Sequence, residues 1–174
     1  MRSAVRKEWL VGVLALVIVG LVGYVWFAPP TREPAPNVQL ERLDGAQTAL
    51  AEHRGEAVML VFWATTCPTC IQEMPEVVEL HHDLGDEGLT ILGVAMDYDP
   101  RDQVRALVER RGLPYDIVLD NGGRIANAFN QVRVTPTTVL IDPDGGVVWQ
   151  RIGPIDFEGL REQLEPMLAE RQSA

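Results

Sequence analysis

The sequence predicts an α/β fold with a central mixed sheet that helices cover on both faces. Apolar runs of strand length alternate with amphipathic helical patterns, as where residues 57–63 precede a helical pattern that reaches Leu84. Nearer the C-terminus, two apolar runs flank the turn sequence of residues 142–146, which favours an antiparallel hairpin. Alternating strands and helices produce parallel pairs and the hairpin adds an antiparallel one, so we expect both directions in one sheet.

The N-terminal residues predict a membrane anchor. Residues 9–27 form a run of 19 uncharged, mostly apolar residues, long enough to cross a bilayer as a helix. Basic residues precede this run, and positive charge retains that flank in the cytoplasm. A cleaved signal peptide is the alternative, although the aromatic residues before Ala28 make a poor cleavage context. We expect a cytoplasmic N-terminus at 1–8, a single transmembrane signal-anchor helix at 9–28 and a domain that is exported to the other side of the membrane.

The proline-rich residues 29–36 predict an extended linker, after which residues 37–174 form one domain. An edge strand is expected at 37–43, followed by a turn and a short helix at 48–52 that Thr48 caps. The remaining strands are predicted at residues 57–63, 89–96, 115–119, 137–141 and 147–152.

Helices are predicted between and after these strands. One follows the first buried strand and ends at Gly85, and another starts with Asp99 as its cap and Pro100 at its first position. A short helix is expected at 123–130, and Asp156 caps a last amphipathic helix. The residues of that last helix expected to face the sheet are Leu160, Leu164, Met167 and Leu168.

The chain has two cysteines, Cys67 and Cys70, placed where the strand at 57–63 changes to a helical pattern. A thiol at a helix N-terminus meets unpaired backbone N–H groups and the positive end of the helix dipole, which favour the thiolate. The spacing also lets Cys70 attack a mixed disulfide formed at Cys67. The pattern therefore predicts a redox-active dithiol that works without a further cofactor or metal.

Other uses of a cysteine pair fit the sequence less well. A structural zinc site takes four ligands, and the chain has no second cysteine pair. Covalent haem attachment needs a histidine where this chain has Ile71. An inert structural disulfide stays open, although a bridge closing so short a loop restrains the unfolded chain little. The formal charge of −10 argues against nucleic acid as a partner.

Four segments carry a family resemblance: Phe62-Trp63-Ala64, Cys67-Pro68-Thr69-Cys70, Glu73-Met74-Pro75 and Val134-Thr135-Pro136-Thr137-Thr138. Together they resemble the thioredoxin fold and, more closely, the membrane-anchored TlpA-like thiol–disulfide oxidoreductases of bacteria, which include the cytochrome c maturation reductases. The similarity covers about residues 38–170. Residues 89–119 resemble the strand–helix insertion that separates this family from minimal thioredoxins.

The resemblance implies a substrate-binding surface around the cysteines. The Thr135–Pro136 peptide bond is expected to be cis, with its loop facing the cysteines and offering backbone groups to a substrate chain. Trp63, Pro68 and Thr69 are the further residues expected to contact substrate. Thr66 stands where thioredoxins carry a tryptophan, which changes the shape expected for this surface.

The resemblance also suggests where a proton acceptor lies. Thioredoxin itself has a buried acid in the central strand, where this chain has Val61. Glu73 matches an acid beneath the active site of TlpA-like reductases and lies one helical turn past Cys70. A solvated acid without a role is the alternative interpretation of Glu73.

The function predicted is an exported, membrane-tethered reductase of protein disulfides that a membrane electron donor of the DsbD or CcdA type recharges. Three alternatives remain. A disulfide-forming oxidase would use the same residues at a higher reduction potential. A thiol peroxidase is disfavoured because Ala64 stands at the threonine position of the peroxiredoxin pattern. A copper chaperone would need a histidine beside the thiols, and His53, His81 and His82 lie elsewhere in the sequence.

Overall fold

The computed structural model describes residues 12–13, 16–24, 26 and 32–172. The chain divides into two compact units, residues 1–31 and 32–174. Residues 12–13, 16–24 and 26 are helical, while 1–8, parts of the predicted anchor at 9–28 and residues 29–31 of the predicted linker lie outside the described residues. Among the residues described, no helix combines the length and the apolar character needed to span a membrane.

Residues 32–172 of the second unit form eight strands and four α-helices. The strands are β1 (Glu33–Pro34), β2 (Gln39–Arg42), β3 (Gln47–Ala49), β4 (Ala57–Trp63), β5 (Leu89–Ala95), β6 (Asp116–Leu119), β7 (Thr137–Ile141) and β8 (Gly146–Ile152). The helices are α1 (Pro68–Leu84), α2 (Arg101–Arg111), α3 (Arg124–Ala128) and α4 (Phe157–Gln172), with short 3₁₀ turns at Leu50–His53 and Asn121–Gly123.

The strands form one mixed sheet in the order β1-β8-β7-β4-β5-β6-β2-β3. β4 pairs in parallel with β5, and β5 in parallel with β6. β7 pairs antiparallel with both β4 and β8, so the predicted hairpin and the predicted mixed sheet are confirmed. The parallel pairs bring the carboxyl ends of β4 and β5 to one edge, from which the segment that carries Cys67 leaves the sheet.

All seven residues of β4 are buried, because both faces of the sheet are covered. Alternate residues enter two separate apolar clusters, as a pleated strand requires. Helices α1, α2 and α4 pack in the cluster that contains Met59, while α3 packs in the one that contains Phe62. In α4, the expected contacts with the core are confirmed: Leu160, Leu164 and Leu168 are buried, and Met167 packs against them.

The helix predicted at 48–52 is wrong in its first half. Thr48 lies in β3 opposite Leu40 of β2, and a 3₁₀ turn follows at Leu50–His53. The carboxylate of Glu52 accepts hydrogen bonds from the Thr48 hydroxyl at 2.9 Å and the Ala49 backbone N–H at 3.0 Å. Pairing with β2 decides the conformation of Thr48, and this partner is not visible in a local pattern.

The predicted linker at 29–36 is also partly wrong. Glu33 and Pro34 form the edge strand β1, which pairs with Val147 and Gly146 of β8. The Arg32 guanidinium donates to Asp142 at 2.5 Å. From Arg32 onward the chain is therefore part of the folded unit, and proline suits this position because an edge strand leaves backbone N–H groups unused.

Asp99 does not cap α2 as predicted. The N-cap position is Pro100, and no side chain caps this helix. The Asp99 carboxylate instead accepts two hydrogen bonds from Thr65, which lies between β4 and α1.

Candidate active site

Cys67 is the N-cap residue of α1 and is joined to Cys70 by a disulfide, with a Cα–Cα distance of 5.3 Å. The Cys70 backbone N–H donates to Cys67 Sγ at 3.2 Å. Pro68 occupies the first helical position, where its missing N–H costs no hydrogen bond. Cys67 therefore lies where the Cys70 backbone N–H and the helix dipole both favour a negatively charged sulfur once the disulfide is reduced.

The loop before β7 reaches the same edge of the sheet as the cysteines. Thr137 pairs with Phe62, so the preceding residue, Pro136, lies level with the carboxyl end of β4. The Thr135–Pro136 peptide bond is cis, as the resemblance implied. Pro136 is buried and its carbonyl accepts from the Gly153 N–H at 2.9 Å, so this carbonyl is already engaged within the domain.

Exposed apolar side chains gather at this edge. Within residues 32–172, the exposed large apolar residues are Tyr98, Val134 and Ile152, with exposed fractions of 56%, 53% and 70%. Tyr98 follows β5, Val134 precedes β7 and Ile152 ends β8, so all three belong to the carboxyl edge of β4. We call these three residues the apolar rim; an exposed apolar cluster commonly marks an interaction site.

Glu73 lies beneath the cysteines on α1, one turn past Cys70, and is 8% exposed. The Ile155 backbone N–H donates to its carboxylate at 2.7 Å. Burial raises the pKa of Glu73, the Ile155 hydrogen bond lowers it in part, and the nearby charge of Glu76 raises it further. A buried acid with a raised pKa close to a thiol is suited to take up a proton.

A small cavity connects Glu73 with Cys70. Its other lining residues include Trp63, Gly93 and Tyr115. Space at position 93 is tight, because a Cβ there would lie 3.2 Å from Trp63 Nε1 and 2.8 Å from Ile117 Cδ1, so neighbouring side chains would have to shift. Glu73 and Cys70 therefore line the same internal cavity.

A scan of family models places residues 31–150 in the family described as AhpC/TSA. The chain belongs to the AhpC/TSA family. The thiol-disulfide oxidoreductase ResA of Halalkalibacterium halodurans is 32% identical to this chain over 169 residues, covering 92% of this chain and 94% of its own. The thioredoxin-like protein YneN of Bacillus subtilis is 29% identical, covering 91% and 98%.

Solved structures agree with these AhpC/TSA-family relationships. A thiol:disulfide interchange protein of the thioredoxin family from Chlorobium tepidum superposes with a TM-score of 0.72 at 25% identity, covering 81% of this chain and 99% of its own. The predicted thioredoxin-like fold and the predicted relationship to TlpA-like oxidoreductases are confirmed. With its cysteine pair, this AhpC/TSA-family chain is a thiol–disulfide oxidoreductase.

The structure separates the expected substrate-contacting residues of this AhpC/TSA-family chain into two groups. Pro68 is exposed, and Thr69 and Thr135 are partly exposed. Trp63 is 3% exposed and lines the internal cavity, because alternation along β4 directs this residue into the core. Contact between Trp63 and a substrate stays a prediction.

Sequence reasoning missed two members of the apolar rim, Tyr98 and Ile152. Each stands at or just after a strand end on the edge where the cysteines lie. A large apolar residue directly after a predicted strand was the available signal, but its use required knowing which strands are neighbours.

The histidines lie away from the cysteines in the part of the chain that is described. The His81 ring packs against Tyr115 at a centroid distance of 6.2 Å, and His53 lies 3.4 Å from the Glu56 carboxylate. Among the described residues, no group of three or more histidine, cysteine or acidic side chains is arranged to hold a metal ion.

Proposed function

We propose that this thiol–disulfide oxidoreductase is exported, tethered to the membrane by residues 9–28, and reduces disulfides in other proteins. The observation that carries the proposal is the placement of Cys67 at the N-cap of α1, with Cys70 and the buried Glu73 behind it. A nucleophilic sulfur, a resolving sulfur and a proton acceptor thus follow one another along a single helix.

The proposed reaction transfers two electrons to the substrate. The Cys67 thiolate attacks one sulfur of a substrate disulfide, which forms a mixed disulfide and releases the other substrate sulfur as a thiolate. The Cys70 thiol then loses its proton to Glu73 and attacks Cys67 Sγ, expelling the second substrate thiolate. Protonation of the two released thiolates gives two substrate thiols. The enzyme is left oxidised, with Cys67 and Cys70 joined in a disulfide.

The small number of hydrogen-bond donors at Cys67 Sγ supports reduction over oxidation. A strongly oxidising member of the fold needs a strongly stabilised reduced form. Among the described residues, one backbone N–H, that of Cys70, hydrogen-bonds to Cys67 Sγ, and no basic side chain does so. A disulfide-forming oxidase is the second candidate and would require more stabilisation than this.

A substrate chain would dock on the apolar rim. Tyr98, Val134 and Ile152 surround the edge of the sheet where Cys67 lies, and burying them against an apolar segment of substrate is favourable. Pro68, Thr69 and the Thr135–Pro136 loop complete this proposed surface. We include proteins of cytochrome c maturation among the substrates, in line with the resemblance to TlpA-like reductases.

A reductase in an oxidising compartment must be recharged. We therefore include a membrane electron donor of the DsbD or CcdA type as the partner, and the periplasmic side of the bacterial inner membrane as the location. Resistance of the full chain to carbonate extraction, together with protease access in spheroplasts but not inside intact cells, would test this part of the proposal.

The direction of electron flow is tested by the reduction potential of the full chain, equilibrated in glutathione or dithiothreitol buffers. We expect a value near or below about −230 mV, toward the thioredoxin end of the scale. A value near about −120 mV would contradict reduction and support the oxidase. In parallel, Cys70→Ser should trap mixed disulfides with substrate proteins, whereas Cys67→Ser should trap none. Turnover of hydrogen peroxide by the wild-type chain would instead favour the peroxidase.

A further inference from the structure

Asp99 belongs to the connection between β5 and α2, which continues the contact of β5 with β4 beyond the sheet. The Met96 N–H donates to the Trp63 carbonyl at 3.1 Å, and the Asp99 N–H donates to the Met96 carbonyl at 3.0 Å. The connection therefore folds back beside the segment that leads from β4 to Cys67, and it brings the Asp99 side chain onto that segment.

Asp99 holds Thr65 through both carboxylate oxygens. Oδ2 accepts from the Thr65 backbone N–H at 2.5 Å, and Oδ1 accepts from the Thr65 hydroxyl at 2.9 Å. Hydrogen bonds to an ionised carboxylate are about twice as strong as those between neutral groups. Two such bonds together define both the position and the orientation of Thr65. These contacts join two segments 34 positions apart in sequence, while α2 itself receives no side-chain cap.

Thr65 lies inside the turn that delivers Cys67 to the helix. The Cys67 N–H donates to the Ala64 carbonyl at 3.0 Å, which closes this turn around Thr65. Ala64 is 1% exposed, so the turn is fixed by burial at that end. Displacement of Thr65 would consequently move Cys67 relative to the Cys70 N–H, which donates to its sulfur at 3.2 Å.

We infer that Asp99 is a positioning residue for the turn at residues 64–67. Its two hydrogen bonds to Thr65 hold Cys67 in position at the N-terminus of α1. Asp99 does not touch the sulfur atoms in this arrangement and acts through Thr65. Asp99 therefore has two opposite effects on the stability of the Cys67 thiolate, one through the position of the turn and one through its own charge. The fixed turn favours the Cys67 thiolate, whereas a nearby negative charge by itself disfavours it.

The inference rests on the proposed dithiol chemistry, but it can be tested without any substrate. The fraction of Cys67 thiolate in the reduced full chain is followed with pH by its ultraviolet absorbance, and the reduction potential is measured on the same samples. For Asp99→Ala we expect the acid dissociation constant of Cys67 to fall by about threefold to tenfold, with a lower potential, since a tenfold change in the equilibrium corresponds to about 30 mV. Thr65→Val should show a smaller decrease in the dissociation constant, because it loses the hydroxyl but keeps the backbone N–H that donates to Asp99. Thr65→Ser keeps both donors and should resemble the wild type.

Asp97→Asn is the matched control. Asp97 is an exposed carboxylate in the same connection and has no hydrogen bond to Thr65 among the described residues. We expect its replacement to leave the dissociation constant of Cys67 unchanged or slightly higher. In the double variant Asp99→Ala/Thr65→Val, the dissociation constant of Cys67 should decrease no further than in Asp99→Ala alone, because Asp99 acts through its contact with Thr65.

Two outcomes would overturn the inference. If Asp99→Ala increases the dissociation constant as Asp97→Asn does, Asp99 acts only through its charge. If Asp99→Ala and Thr65→Val lower the denaturant midpoint but leave the dissociation constant and potential unchanged, Asp99 serves stability alone. Should Asp99→Ala fail to fold, Thr65→Val decides by the same criteria. An oxidising potential of the wild type would contradict the proposed direction of electron flow and leave this inference intact.

Discussion

The Glu73 carboxylate accepts a hydrogen bond from the Ile155 backbone N–H at 2.7 Å, which ties α1 to the segment between β8 and α4. This bond compensates only part of the cost of burying a carboxyl group, because the pKa of Glu73 stays raised by burial. The contact therefore orients the carboxyl group beneath Cys70, while burial keeps its affinity for a proton high. Both properties are required of an acceptor for the Cys70 proton.

Glu73→Gln should slow the resolving step selectively. Glutamine can still accept the Ile155 N–H through its carbonyl but cannot take up a proton, and general base catalysis contributes about a hundredfold or more. We expect release of the second thiol from a mixed disulfide at Cys67 to slow by about that factor at neutral pH, with the first step little changed. Stopped-flow measurement with an aromatic disulfide separates the two steps.

Glu76→Gln is the control for this prediction. Glu76 is exposed, and its charge contributes least to the raised pKa of Glu73. Its replacement should leave resolution close to the wild-type rate. Equal slowing of both steps in Glu73→Gln would contradict a role in resolution.

Glu73 should also make stability depend on pH. Because burial raises the folded-state pKa of Glu73 above its ordinary value of 4.5, the folded chain binds a proton at pH values where the unfolded chain has already lost it. The contribution of Glu73 to stability is consequently fully favourable below about pH 4.5 and is lost as the pH rises through the folded-state pKa.

The measurement is the difference in unfolding free energy between wild type and Glu73→Gln, from urea titrations of the oxidised proteins between about pH 4 and about pH 8. The wild type should lose stability relative to the variant as the pH rises. Burial also raises the pKa of Asp120, but this residue is present in both proteins and cancels in the difference. A constant difference across this range would contradict the prediction.

Gly93→Ala should destabilise the fold by overpacking. The added Cβ would lie 2.8 Å from Ile117 Cδ1 and 3.1 Å from Tyr115 Cε2 in a buried strand, and overpacking of this kind costs about 1–3 kcal/mol. Ile117→Val removes the nearest atom, so the double variant should be more stable than the sum of the two single changes predicts. If the losses of unfolding free energy in urea titrations are additive instead, contact with Ile117 Cδ1 is not what destabilises Gly93→Ala.

Arg32→Ala should loosen β1 from the edge of the sheet. Arg32 pairs with Asp142, whose side chain is 9% exposed and also accepts from the Gly146 N–H at 2.7 Å. We expect a loss of about 1–2 kcal/mol, since a well-buried carboxylate loses one charged partner but keeps the other hydrogen bond. Arg111→Ala, at an exposed position at the end of α2, should change stability by less than about 0.5 kcal/mol. Similar losses of unfolding free energy in the two variants would argue against a specific contribution of the Arg32–Asp142 pair to the stability of the domain.

The sequence by itself determined the elements whose conformation depends on neighbours in the chain. The apolar run of β4, the cysteines at the start of α1 and the β7–β8 hairpin are each specified by composition and turn residues within a few positions. The inward face of α4 follows from helical periodicity in the same way. The cysteine pair and its chemistry were therefore predictable.

Tertiary structure decided the features that depend on a distant partner. Thr48 becomes a strand residue because β2 pairs with it, and Arg32 joins the domain because Asp142 and β8 receive it. Asp99 turns away from its own helix because the Thr65 N–H and hydroxyl lie within reach of its carboxylate. A hydrogen-bonding group goes to the partner that the fold brings closest, and sequence separation gives no measure of that distance.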